Sequence, residues 1–139
     1  MTTMKSQHTI QTDIPKAMGG ENQAPQPVEL LLASFIGCTQ ATAIFVARQM
    51  GLSILRMDFD LKARRDERGA IALPIRDAPP VQSRLQEITG RVILTTDEPL
   101  SLEDLNILQE QTELRCPVAN MMIASGCRMN VEWIHCSAV

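Results

Sequence analysis

PVELLLASFIGCTQATAIFVARQM, residues 27–50, is the stretch whose reading decides the fold. It contains no internal proline, and apolar side chains fall on every side of it: Leu30, Leu31, Leu32, Phe35, Ile36, Ala41, Ile44, Phe45 and Val46. A surface helix shows one apolar stripe, so a helix that is apolar all round is expected to be buried all round. Pro27 suits the first helical position, where its missing N–H would have lacked a partner anyway. Glu29 falls in the first turn, against the positive end of the helix dipole. Gly51 can close the helix in a left-handed conformation. The polar residues Glu29, Ser34, Thr39, Gln40, Thr42 and Arg48 interrupt the stretch and argue against a membrane span. Cys38 sits in its middle.

Working outward, His8, Ile10, Thr12 and Ile14 alternate with polar residues, the pattern of a short strand. The segment KAMGGENQAPQP that follows has the glycines and prolines of a sharp loop. Beyond the helix, Leu55, Met57, Phe59, Leu61 and Ala63 fall on one face, and Arg56, Asp58, Asp60, Lys62 and Arg64 on the other. That is a half-buried strand with a solvated charged face. Gly69, Pro74, Pro79 and Pro80 interrupt what comes next. Alternation returns between Gln82 and Thr96 through Ile88, Val92 and Leu94, with Gly90 at an expected bulge. Ser101 is placed to cap a helix whose inward stripe is Leu105, Leu108 and Thr112. Pro117 and Gly126 bracket another helix, and Met129, Val131, Trp133 and His135 mark a closing strand. This order predicts an α+β domain with its helices on one side of an antiparallel sheet.

A chain of 139 residues has room for one core, so residues 1–139 are read as a single domain. Its net charge of -3, with three Phe, one Trp and no Tyr, offers neither a basic field nor a stacking surface for nucleic acid. The four cysteines are Cys38, Cys116, Cys127 and Cys136. None forms a CxxC pair or lies at zinc-finger spacing from another or from His8 and His135, so a structural zinc site is not expected. The opening residues carry no apolar leader, which points to the reducing cytosol. There, free thiols or a catalytic pair are expected over structural disulfides. Cys116 directly precedes Pro117 at a helix N-terminus, a place that favours an anion, so its thiol is expected to ionise readily. The plain alternatives are that Cys38 is a small core residue and Cys116 a cap. Cys127 and Cys136 read as packing residues. Met121, Met122 and Met129 read as core fillers or, near a site, as the lining of an apolar pocket.

The stretch GGENQAPQPVELLLASFIGCTQAT, with ELRCPVAN much later, resembles the OsmC/Ohr family of hydroperoxide-reducing proteins, in its OsmC-like branch. The resemblance rests on a Gly-Gly loop, a Pro-x-Glu-Leu-Leu-Leu-Ala helix start with a cysteine beyond it, and a second cysteine before proline. It implies an intertwined homodimer, with long central helices against curved antiparallel sheets and active sites between subunits. It implies a peroxidatic role for Cys38 and a resolving role for Cys116, with a small hydroperoxide as substrate, an external dithiol as reductant and no metal or organic cofactor, in oxidative-stress defence. Glu29 matches the family's activating carboxylate one position late, and it also reads as a simple helix-terminal carboxylate. The family's N-terminal arginine has no counterpart: Lys5 and Lys16 are the cations there, and the first arginine is Arg48. A second function therefore stands beside the first, a non-catalytic binding or redox-sensing domain that holds a small apolar ligand between subunits.

Overall fold

The computed structural model describes residues 6–138. Two compact units divide the chain, Met1–Ser34 and Phe35–Val139. In the first unit, the predicted strand at His8–Ile14 does not form. Its alternating residues have no ladder partner among the described residues, and a two-residue period without a partner strand leaves the backbone unpaired. A side chain organises this unit instead. The Asp13 carboxylate accepts hydrogen bonds from the N–H groups of Ile14 at 2.8 Å, Glu21 at 3.2 Å and Gln23 at 2.9 Å. It thereby folds the Gly-Gly loop back on itself. A Cβ at Gly20 would lie 2.1 Å from the Ile14 carbonyl oxygen, so only glycine passes there.

The long helix, α1, is Pro27–Gln49. Gly51, at φ 74°, ends it, with the Leu52 N–H on the Ala47 carbonyl and the Gly51 N–H on Arg48. This pair of bonds is the Schellman arrangement. The expectation of burial on every side is corrected: within the chain, the buried residues are Phe35, Thr39, Ala43, Val46 and Ala47. Their spacing of four, four, three and one follows a single face of a 3.6-residue period. Leu31 and Phe45 stay 43% and 55% exposed. Apolar composition therefore marked more of the helix surface than one chain covers.

In the second unit, β1 (Ile54–Arg65) pairs antiparallel with β2 (Leu85–Thr96), and β2 pairs with β3 (Arg128–Ser137). The last pairing is parallel, so the sheet is mixed and not wholly antiparallel as expected. The cause is the connection: α3 (Leu102–Arg115) and α4 (Pro117–Ala124) form a crossover that returns the chain to the end where β2 began. A short helix, α2 (Arg68–Ile71), lies between β1 and β2.

Register corrects two finer readings. Gly90 pairs directly with Leu61 and is no bulge; its φ is 134°, and a Cβ there would sit 2.0 Å from the Asp60 carbonyl oxygen. Close backbone approach is why glycine occupies it. The irregularities lie instead between Ile54 and Arg56 and between Arg64 and Arg65, and at the first of them Ile54 joins the core while Leu55 turns to solvent. The core itself joins Ala43, Val46 and Ala47 of α1 to Met57, Val92, Leu94 and Trp133 of the sheet and to Leu105 and Leu108 of α3. The stripe expected on α3 is the one observed, and Ser101 caps that helix by accepting the Asp104 N–H at 3.1 Å.

Candidate active site

α3 runs into α4 through one residue, Cys116, which is both the last cap of the first helix and the N-cap of the second. Its N–H donates to the Thr112 carbonyl at 2.9 Å. Its Sγ accepts the Ala119 N–H at 3.4 Å. A helix C-terminus leaves carbonyls without partners. Here Asn120 supplies them: its Nδ2 donates to the carbonyls of Glu113, Leu114 and Cys116 at 3.3, 3.0 and 2.9 Å. The corner is thus tied from both sides, and Cys116 has little freedom to turn away.

Across from this corner, α1 presents Cys38. The Cys116 thiol donates to Cys38 Sγ at 3.0 Å, although 78 positions separate the two in sequence. Both thiols are free. A bond between them needs an S–S distance of about 2.05 Å, so closure asks for roughly one ångström of movement. Cys38 is half-buried, whereas Cys116 is fully buried. A reagent from solvent therefore meets Cys38 first.

The electrostatics separate the two sulfurs. Burial pulls the Cys38 thiol up, but hydrogen bonds from the Cys116 thiol, the Val118 N–H and the Thr42 hydroxyl outweigh it and hold Cys38 below the ordinary thiol range. Cys116 goes the other way. Burial, and then its hydrogen bond to Cys38, push it up against the pull of the Ala119 N–H and the Thr39 hydroxyl. The expectation that Cys116 would be the ionised thiol is therefore reversed. The N-terminus of α4 does favour an anion, but it is the neighbouring sulfur that takes the benefit through Val118.

The other expected residues have settings of their own. The Glu29 carboxylate accepts the Gln26 N–H at 2.9 Å, which makes it the acidic half of a capping box at the start of α1. The groups that shift Cys38 are uncharged donors and burial. Cys127 is buried and its thiol is raised by burial, in spite of the nearby Arg84. Cys136 is exposed on β3. His8 is exposed, and His135 is hydrogen-bonded to Thr96 Oγ1 at 2.7 Å. Met122 is in the core and Met121 is exposed. Among the described residues, no group of three His, Cys, Asp or Glu side chains could hold a metal ion.

Three contributors escaped the sequence reading: Val118, Thr42 and Thr39. Thr42 carries a usable signal, because it lies four residues after Cys38 and residues at that spacing share a helix face. As one polar interruption of an apolar stretch, it gives no sign of that role by itself. A backbone N–H such as that of Val118 leaves no trace in side-chain pattern.

The fold thus brings one half-buried, lowered thiol against one buried, raised thiol. The family model described as OsmC-like protein matches residues 20–132, and the chain belongs to that family. Solved structures agree on the fold. An OsmC-like protein from Mycoplasma pneumoniae is 20% identical with a TM-score of 0.66, over 88% of this chain and 77% of that one. An organic hydroperoxide resistance protein OsmC from Legionella pneumophila is 16% identical at 0.63, over 90% and 80%. An organic hydroperoxide resistance protein from Elizabethkingia anophelis, with thiocyanate bound, is 15% identical at 0.62, over 91% and 81%. No curated protein matches the sequence.

Proposed function

We propose that this protein is a thiol peroxidase that reduces hydroperoxides in oxidative-stress defence, with Cys38 as the attacking sulfur and Cys116 as the resolving one. The observation that carries the reading is the 3.0 Å approach of two free thiols whose acidities diverge, the lower one being the more exposed. The Cys38 thiolate attacks the terminal oxygen of the hydroperoxide and the O–O bond breaks. The alkoxide leaves and takes up a proton, and Cys38 becomes a sulfenic acid. The Cys116 sulfur then attacks Cys38, its proton leaves with the sulfenic oxygen as water, and a disulfide forms. An external dithiol supplies the two electrons that return both thiols.

In place of a cationic activator, hydrogen bonds hold the thiolate: the Cys116 thiol, the Val118 N–H and the Thr42 hydroxyl. Glu29 acts in this reading as a cap and not as a base. The working unit is a homodimer in the cytosol, and the exposed apolar residues of α1 support the dimer. The lack of an arginine before Arg48 in the sequence favours the second reading, a redox-sensing or ligand-holding domain. The rate of thiol loss from reduced protein under cumene hydroperoxide and hydrogen peroxide decides between them. A peroxidase outruns free cysteine by orders of magnitude, and a rate equal to that of free cysteine rejects the proposal.

A further inference from the structure

Asn120 stands in the first half of α4, inside a helix, where asparagine is a poor former. Helical side chains lean back toward the N-terminus of their own helix, and here that direction carries the amide to the end of α3. Its Nδ2 meets three carbonyls, those of Glu113 and Leu114 in the last turn of α3 and that of Cys116 between the helices. Two hydrogens serve three acceptors, so one of them is shared. Asn120 is exposed, and water would serve the same carbonyls. Satisfying them therefore gives no reason for an amide at this position. What water does not do is hold two helix ends at one nitrogen.

The corner held in this way carries the buried thiol. Cys116 has φ -81° and ψ 111°, the extended break that separates α3 from α4. Its carbonyl takes the Asn120 N–H at 3.0 Å as well as the Nδ2 at 2.9 Å, so Asn120 grips this residue twice. The Cys116 Sγ lies 3.0 Å from that of Cys38, in a hydrogen bond whose strength falls steeply with angle. Burial keeps the proton on Cys116, which makes it the donor in that contact. Cys38 comes from the middle of the unbroken helix α1, so the aim of the contact is decided at the α3–α4 corner.

We propose that Asn120 is a positioning residue for the thiol pair: by tying α3 to α4 it holds the Cys116 sulfur against Cys38, in the reduced protein and during resolution. The second half rests on the peroxidase reading. Resolution forms the Cys38–Cys116 bond and breaks the S–O bond of the Cys38 sulfenic acid, whose hydroxyl leaves as water with the Cys116 proton. A sulfur already in place closes that bond before a nucleophile from solvent reaches Cys38.

A double-mutant cycle tests the positioning without peroxide, read by iodoacetamide alkylation of Cys38 across pH and followed by peptide mass spectrometry. Asn120→Ala raises the pH midpoint by about half a unit, which is a fall of about threefold in rate below it. Asn120→Ser, with one hydrogen for three carbonyls, moves the midpoint in the same direction. In the Cys116→Ala background neither substitution moves it further, because the donor that Asn120 positions is gone. A general loosening of the fold would act in both backgrounds. With one equivalent of cumene hydroperoxide and dimedone, Asn120→Ala gives roughly several-fold more Cys38 adduct relative to disulfide than wild type. Unchanged midpoints in the single variants, an equal shift in the Cys116→Ala background, or loss of the fold by circular dichroism in both Asn120 variants overturns the positioning role. An unchanged adduct ratio overturns its part in resolution. The expected alkylation cycle with no thiol loss under peroxide overturns the peroxidase reading and leaves the positioning of Cys116 standing.

Discussion

Neutral donors hold the Cys38 thiol below its ordinary range, and that has measurable consequences. Of the groups that lower it, the Cys116 thiol is the first, and it is the one titratable group that acts on Cys38. Removing a donor to a thiolate favours the protonated form. In Cys116→Ala, the pH midpoint for alkylation of Cys38 therefore moves up, and the alkylation rate at pH 7 falls several-fold; iodoacetamide kinetics across pH read both. Asp13 gives the opposite kind of pH dependence. Hydrogen bonds from Gln23, Ile14 and Glu21 hold its carboxyl below the ordinary value of 3.8. A carboxylate lowered on folding stabilises the folded form above its unfolded value, and that contribution is lost as pH falls through the lowered one. The Glu21 and Gln23 amides are thus protected from hydrogen exchange at pH 5 and lose protection below the ordinary carboxylate range. The sequence suggested both cysteines by their setting, one in a long helix and one before proline. It could not say which would ionise, because the deciding donors, the Cys116 thiol, the Val118 N–H and the Thr42 hydroxyl, are brought together by the fold.

At the level of the elements, the helices and strands were largely legible where period and punctuation agreed. Pro27 and Gly51 bracket α1, Ser101 starts α3, and Pro117 and Gly126 bracket α4. What pattern could not supply was direction and pairing. A strand reads the same whether its neighbour runs with it or against it, which is why the parallel pairing of β2 with β3 was missed. The strand expected at His8–Ile14 failed for a related reason, since alternation states which side chains share a face and not whether a partner strand exists. Gly90 was recognised as special and misassigned, because a bulge and a close backbone approach both call for glycine. The register makes this testable. In Gly90→Ala the new Cβ meets the Asp60 carbonyl at 2.0 Å, so β1 and β2 must part locally. A loss of about 2–4 kcal/mol is expected, the range of severe single substitutions, measured by urea unfolding.

For the whole molecule, the all-round apolarity of α1 and its one-sided burial have to be reconciled. Five residues of the helix are buried within the chain, while Phe45 remains 55% exposed. On length and composition alone the helix could cross a membrane, yet its inner stripe is built into the core with Val92, Leu94 and Trp133. In the proposed dimer a second copy covers the outer apolar residues, since burying a side chain the size of Phe stabilises by about 1.5–3 kcal/mol. Phe45→Asp is expected to shift the protein from dimer to monomer in sedimentation velocity, with the Cys38 and Cys116 thiols still in place. A wild type that sediments as a monomer at micromolar concentration would remove this account of the helix. The family match over residues 20–132 agrees with what the two cysteine motifs suggested, and the missing arginine was also visible from the start. How the thiolate is held without it became clear only in three dimensions.

The central claim is a division of labour between two sulfurs 3.0 Å apart. It is tested most directly by adding one equivalent of hydroperoxide to reduced protein in the presence of dimedone and mapping the products by peptide mass spectrometry. Wild type should yield the Cys38–Cys116 disulfide, Cys116→Ser should stop at a dimedone adduct on Cys38, and Cys38→Ser should leave Cys116 reduced. A dimedone adduct on Cys116, or peroxide-dependent oxidation of Cys116 in Cys38→Ser, would contradict the assignment.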